Sequence, residues 1–139
     1  MILLDSSGLF AALVDTEVHH ERARSALERA SSPFVLSPFV LWELDYLLAS
    51  SVGAEPELAL LEDVAAGAYE LTSFDGDDVA AAHEVIERYR DLGVGLADAS
   101  IVVLAGRYGT ERVLTLDERH FRTLRAPSGR PFTILPADA

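Results

Sequence analysis

The chain of 139 residues contains no cysteine. That absence excludes disulfide frameworks, thiolate zinc sites and cysteine nucleophiles together. Lysine is missing too: all eleven basic residues are arginine, against twenty-three acids, for a net charge of −12. Such a chain repels nucleic acid at long range unless cations or a local basic face intervene. Long hydrophobic runs are also lacking. The apolar stretches fall well short of a membrane span, and no basic segment precedes a hydrophobic signal core. A soluble, cytoplasmic protein with no membrane role is the expectation.

What is there suits one packed unit. Half of the residues are hydrophobic, enough to fill a core and to argue against disorder. No repeat, low-complexity tract or linker divides the chain, so residues 1–139 are read as a single domain. Most of the acids are read as a solubilising surface. An acidic protein is also a natural receiver for a basic partner or a divalent metal.

Ile2-Leu3-Leu4 is an apolar run without polar alternation, as in a strand buried on both faces. It ends in Asp5-Ser6-Ser7, and Leu9 to Val14 then reads as helix. Asp5 therefore sits where a strand hands over to a helix, the edge of an open α/β sheet at which ligands bind. It is a candidate metal ligand or general base, and equally a plain helix cap. Asp15-Thr16 offers a cap for a helix from Glu17 to Ala30, with Val18 on its apolar side and His19 and His20 as exposed polar residues. Phe34-Val35-Leu36 is a second strand, and Ser37-Pro38 opens the next helix. That helix carries Val40, Leu41, Leu44, Leu47 and Leu48 toward the core, with Glu43 and Asp45 flanking opposite edges of the stripe. Periodicity does not choose between these two acids. A further helix from Pro56 completes a helical hairpin with more apolar surface than one sheet face needs.

Tyr69 to Phe74 is a third strand candidate, followed by a helix from Asp78 to Arg90 that puts His83 on the apolar stripe, as a core or boundary histidine. Leu92 to Ile101 contains two glycines, but Asp98 stands where a dinucleotide fingerprint needs a third, and a carboxylate there opposes pyrophosphate. Asp98 falls instead in the first turn of an apolar helix running to about Tyr108. Its neighbours Leu96, Ala97, Ala99 and Ile101 draw it into a partly buried place, and a buried carboxylate needs a partner. Arg112 to Thr115 is the next strand, with Thr115 and Asp117 two residues apart and facing one way if extended. Asp117 also fits as the cap of a short turn. Phe132 to Leu135 is a last, edge-like strand. The alternation predicts an α/β sandwich on a mainly parallel sheet.

Carboxylates gathered at one sheet edge cannot all ionise without a cation. Oxygen ligands without cysteine select Mg²⁺ or Mn²⁺ over zinc. Such a site suits metal-assisted attack of water on a phosphodiester.

The set Leu4-Asp5-Ser6-Ser7, Glu43-Leu44, Gly95-Leu96-Ala97-Asp98-Ala99 and Leu114-Thr115-Leu116-Asp117-Glu118-Arg119-His120-Phe121 resembles a PIN-domain ribonuclease, and more narrowly the VapC-type toxins of type II toxin–antitoxin pairs. The match runs in order through essentially the whole chain. The resemblance implies a three-layer fold with a five-stranded, mainly parallel sheet flanked by helices. It implies Asp5, Glu43, Asp98 and Asp117 as catalytic acids and ligands of Mg²⁺ or Mn²⁺, so it picks Glu43 over Asp45. It makes Ser6, Ser7 and Thr115 supporting hydroxyls, although many members carry Thr-Asn or Thr-Ser where this chain has Ser6-Ser7. It implies an RNA substrate, a cognate antitoxin bound across the helical hairpin, and a homodimer. Arg119 and Arg122, beside Asp117, then become candidates for gripping RNA phosphates. Two other classes compete: the same fold in RNA maturation or DNA flap processing without an antitoxin, and a non-catalytic binding module. The second predicts a missing acid; here all four are present.

Overall fold

The computed structural model describes residues 1–139, every residue of the chain. Five strands form one sheet in the order β3-β2-β1-β4-β5. They are β1 Ile2–Leu4, β2 Phe34–Leu36, β3 Glu70–Leu71, β4 Arg112–Leu114 and β5 Thr133–Leu135. Every pairing is parallel. Parallel strands need crossovers, and the chain supplies them as helices: α1 Ser6–Leu13, α2 His20–Arg29, α3 Pro38–Ser51, α4 Ala54–Ala65, α5 Gly76–Arg88, α6 Leu96–Tyr108 and the short α7 Glu118–Phe121. The connections β1 to β2 to β3 step one way across the sheet, and β3 to β4 returns past β1. Right-handed crossovers then place α1 to α4 on one face and α5 and α6 on the other. The packing agrees: α1 rests on α2 and α3, α3 on α4, and α5 on α6. Ile2, Leu3, Leu4, Val35, Leu36, Val113, Leu114 and Ile134 are buried from both sides, which is why these runs lack polar alternation.

The chain leaves β1 in one direction and arrives at β4 from the other, so the crevice between their carboxyl ends is the switch point of the sheet. Register decides what meets there. Leu4 pairs with Leu114, so the residues one step on, Asp5 and Thr115, lie side by side. The amide of Asp5 continues the ladder onto the Leu114 carbonyl at 3.0 Å.

Four expectations need correction. The strand expected over Tyr69–Phe74 shrinks to Glu70–Leu71, because it lies at the sheet edge with β2 as its only neighbour. The helix expected from Glu17 begins at His20, after a turned segment in which Val18 is 93% exposed rather than on an apolar side. His20 is buried instead, its Nδ1 2.8 Å from the Ala11 carbonyl, and so pins α2 to α1. His83 is not a core or boundary residue: it faces water beside Glu87, one turn on. The apolar side of α5 rotates past it to bury Ala82.

Candidate active site

Four acids reach one crevice from four elements. Asp5 follows β1, Glu43 lies on α3, Asp98 in the first turn of α6, and Asp117 at the start of α7. Asp5 occupies the cap position of α1 yet makes no capping hydrogen bond. Its carboxylate turns to hydroxyls: Thr115 donates to Oδ2 at 2.6 Å and Ser7 donates to the same oxygen at 3.0 Å. Both hydroxyls accept backbone amides, Thr115 from Asp117 at 2.9 Å and Ser7 from Leu116 at 3.0 Å. An ionised Asp5 can only accept, so each hydroxyl directs its one proton to it, while the two hydroxyl oxygens lie 3.2 Å from each other. Both hydroxyl hydrogen bonds to Asp5 thus fall on Oδ2, and the Ser6 amide adds a backbone donor to the same carboxylate.

Glu43, not Asp45, enters the crevice, with Ser6 donating to its Oε1 at 2.8 Å. Asp45 leans toward α4, where its nearness raises the Glu57 pKa and its own buried Oδ1 finds no hydrogen-bond partner. The start of α3 is braced from behind. Ser37 caps it through the Phe39 amide at 3.2 Å and lies 2.7 Å from the fully buried Ser100 of α6. Ser100 gives its own proton to the Ala97 carbonyl, so Ser37 donates to Ser100. This pair locks the helix bearing Glu43 to the helix bearing Asp98.

Asp117 does two jobs. Its Oδ1 accepts the His120 amide at 3.1 Å, capping α7, while Oδ2 lies 3.0 Å from the His120 ring. The same Nδ1 of His120 is 2.8 Å from Oδ2 of Asp98. One imidazole nitrogen therefore sits between two carboxylates, where a positive charge is wanted. His120 was not singled out from the sequence; the available signal was its spacing three residues after Asp117, one helical turn on the same side.

Electrostatics mark the crevice as over-supplied with negative charge. Burial pushes the Asp5 carboxyl up to about 6; the Thr115 and Ser7 hydrogen bonds oppose this and the charge on Asp98 adds to it. Asp98 is also raised, chiefly by burial, with His120 opposing and Asp117 and Glu43 reinforcing. Asp98, Asp117 and His120 can each offer one ligand atom within 4.8 Å of the others. Oxygen donors predominate, with one imidazole and no sulfur, which fits a hard divalent ion such as Mg²⁺ or Mn²⁺.

The expected arginines part company. Arg122 is held by Asp138 at 2.7 Å and Glu118 at 2.9 Å, so its charge is already matched. Arg119 is exposed and has no carboxylate partner. On the hairpin, Trp42 and Tyr46 of α3 stack at 6.0 Å while 68% and 61% exposed, and Leu58 of α4 is 59% exposed.

Comparisons with known proteins place the chain in a family and match its fold. A PIN domain family model matches residues 2–126. Ribonuclease VapC26 of Mycobacterium tuberculosis is 40% identical over 135 residues, covering 97% of this chain and all of the relative. Among solved structures, Mycobacterium tuberculosis VapC20, described as a sarcin-ricin loop cleaving toxin, matches with a TM-score of 0.78 at 19% identity, over 84% of this chain and 90% of that one. DNA-bound VapBC from Salmonella typhimurium matches at 0.65 and 24% identity, over 96% of each chain. FitAcB from Neisseria gonorrhoeae matches at 0.65 and 23% identity, over 96% of this chain and 97% of that one.

Proposed function

Since the chain belongs to the PIN domain family, we propose that it is a divalent-metal-dependent endoribonuclease acting as the toxin of a toxin–antitoxin pair. The observation that carries this is the convergence of Asp5, Glu43, Asp98 and Asp117 at the switch point, with Asp5 held by two hydroxyls instead of capping its helix. Asp98, Asp117 and the His120 nitrogen lie close enough to hold one Mg²⁺ or Mn²⁺ ion, and Asp5 and Glu43, whose charges act on or are felt by Asp98, would complete its surroundings. When bound, the ion supplies Lewis acidity and charge neutralisation for hydrolysis of an RNA phosphodiester.

The protein's part is preorganisation. Ser7 and Thr115 fix Asp5, Ser6 fixes Glu43, and the Ser37–Ser100 pair sets the spacing of the helices behind them. Ligand oxygens held this way need no reordering when substrate arrives, which is where such sites gain rate. The exposed stack of Trp42 and Tyr46, beside Leu58, gives the hairpin an apolar surface suited to an antitoxin or a second copy. That surface favours the toxin reading over an RNA-maturation nuclease that works without an antitoxin.

The test is growth of a host expressing this chain beside an Asp98→Asn version at matched level, with end-mapped RNA sequencing. Arrest with discrete new RNA ends in the wild type alone is expected. Equal growth and identical RNA ends in the two strains would count against a toxin.

A further inference from the structure

A cavity of about 600 Å³ lies between α2 and β5, away from the four acids. Arg22 and Arg29 of α2 and Arg112 of β4 line it, with Ala26, Leu135 and Pro136 as an apolar wall. Arg22 and Arg29 are seven residues apart, so they stand on one face of α2. None of the three arginines is ion-paired, whereas Arg24, Arg107 and Arg122 each hold a carboxylate. Asp138 also borders the cavity, but its charge is taken by Arg122. Glu21 is the acid left on that rim. Three unmatched guanidinium groups on one groove stand out in a chain of net charge −12.

The groove does not end there. A smaller cavity of about 80 Å³ shares Arg22 and Pro136 with it and is lined by Thr115 and Leu116. Thr115 is the residue that donates to Asp5. The second cavity, which Glu118 also borders, thus comes up to the buried residue that holds Asp5, and Arg112 lies only three residues up the strand from Thr115, about 10 Å in extended chain.

We propose that this groove holds the RNA strand flanking the scissile phosphodiester, with its phosphates on Arg22, Arg29 and Arg112 and a base against Ala26, Leu135 and Pro136. The proposal rests on the ribonuclease reading of the acidic crevice. Charge argues for it: a protein whose overall field repels RNA needs a local cationic track to retain it. Guanidinium groups bind phosphate oxygens through paired donors. The volume is in the range of pockets that enclose nucleotide-sized ligands, and the second cavity's approach to Thr115, the residue that holds Asp5, favours the strand being cut over an acidic protein segment.

The experiment compares the wild type with an Arg22→Gln/Arg29→Gln/Arg112→Gln triple variant, all three side chains being exposed. Cleavage of a single-stranded RNA is followed across salt concentrations, beside hydrolysis of bis(p-nitrophenyl) phosphate, which is too short to reach the groove. The expected result is an RNA KM raised by about tenfold and a log KM against log salt slope shallower by about two, as for three lost phosphate contacts on a single strand. Hydrolysis of the small diester and the melting temperature stay unchanged. An unchanged RNA KM and salt slope would overturn the proposal, as would equal loss on both substrates. Unchanged RNA handling with loss of poly-glutamate binding would overturn it in favour of an acidic protein segment. Fluorescence anisotropy with the same RNA separates the two readings. Binding that depends on the arginines, without cleavage, would uphold the groove and sink the nuclease; cleavage indifferent to the arginines would do the reverse.

Discussion

Asp5 is buried beside Asp98, and the folded protein keeps its proton up to about pH 6, against 3.8 for the free group. Between those values the unfolded chain has released the proton while the folded chain retains it. Without metal, the contribution of Asp5 to stability therefore falls as pH rises from about 4 to about 6, and stays low above that. A shift of this size corresponds to about 3 kcal/mol. Asp5→Asn keeps an acceptor for Ser7 and Thr115 and removes the charge. After metal chelation it is expected to unfold at higher urea than the wild type at pH 7.5, with the advantage vanishing by pH 4. A wild type that gains on the variant as pH rises through this window would refute the assignment. Asp5 and Asp98 were legible at this scale because each broke a run of apolar neighbours. His120 was not, because a histidine one turn from an acid is common on any helix. Nor was the engagement of Arg122, since Asp138 is brought to it by the chain's return after β5.

Gly8 of α1 shows what an element demands beyond propensity. A Cβ there would lie 2.7 Å from the Thr115 amide nitrogen and closer still to the Leu114 carbonyl. The helix can rest on the end of β4 only without a side chain at this position. Ordinary propensity says that Gly→Ala inside a helix stabilises by about 1 kcal/mol. Here backbone would have to move, so Gly8→Ala is expected to destabilise by about 1–3 kcal/mol in urea titration. RNA cleavage falls further than stability alone explains, because Ser6 and Ser7 lie on the first turn of the displaced helix. A stabilised, fully active Gly8→Ala protein would refute the close approach. Buried strands and apolar helix stripes were readable from residue order, which is why β1, β2 and α6 appear where expected. The start of α2 was not: the Asp15-Thr16 cap signal lost to a turn that lets His20 bond to the Ala11 carbonyl.

At the scale of the whole molecule, a chain of net charge −12 concentrates four acids at the switch point of its sheet. The hydrophobic order of the strands made the parallel sheet legible, but their convergence depends on strand order and register, which no single segment encodes. Asp5 and Thr115 are 110 residues apart in sequence and become hydrogen-bonded because β1 and β4 pair in register. Family resemblance supplied the choice of Glu43 over Asp45; in the structure Ser6 donates to Glu43, while Asp45 turns toward Glu57 on α4.

The central claim is that these acids act together through a divalent ion. Its most direct test is the rate of RNA cleavage by purified, chelator-treated protein as Mg²⁺ or Mn²⁺ is added back, beside Asp98→Asn prepared identically. No cleavage is expected without metal, with saturable recovery in the wild type and loss of at least about a hundredfold in the variant, in keeping with a lost ligand. Cleavage that survives chelation, or an Asp98→Asn protein as active as wild type at saturating metal, would contradict it.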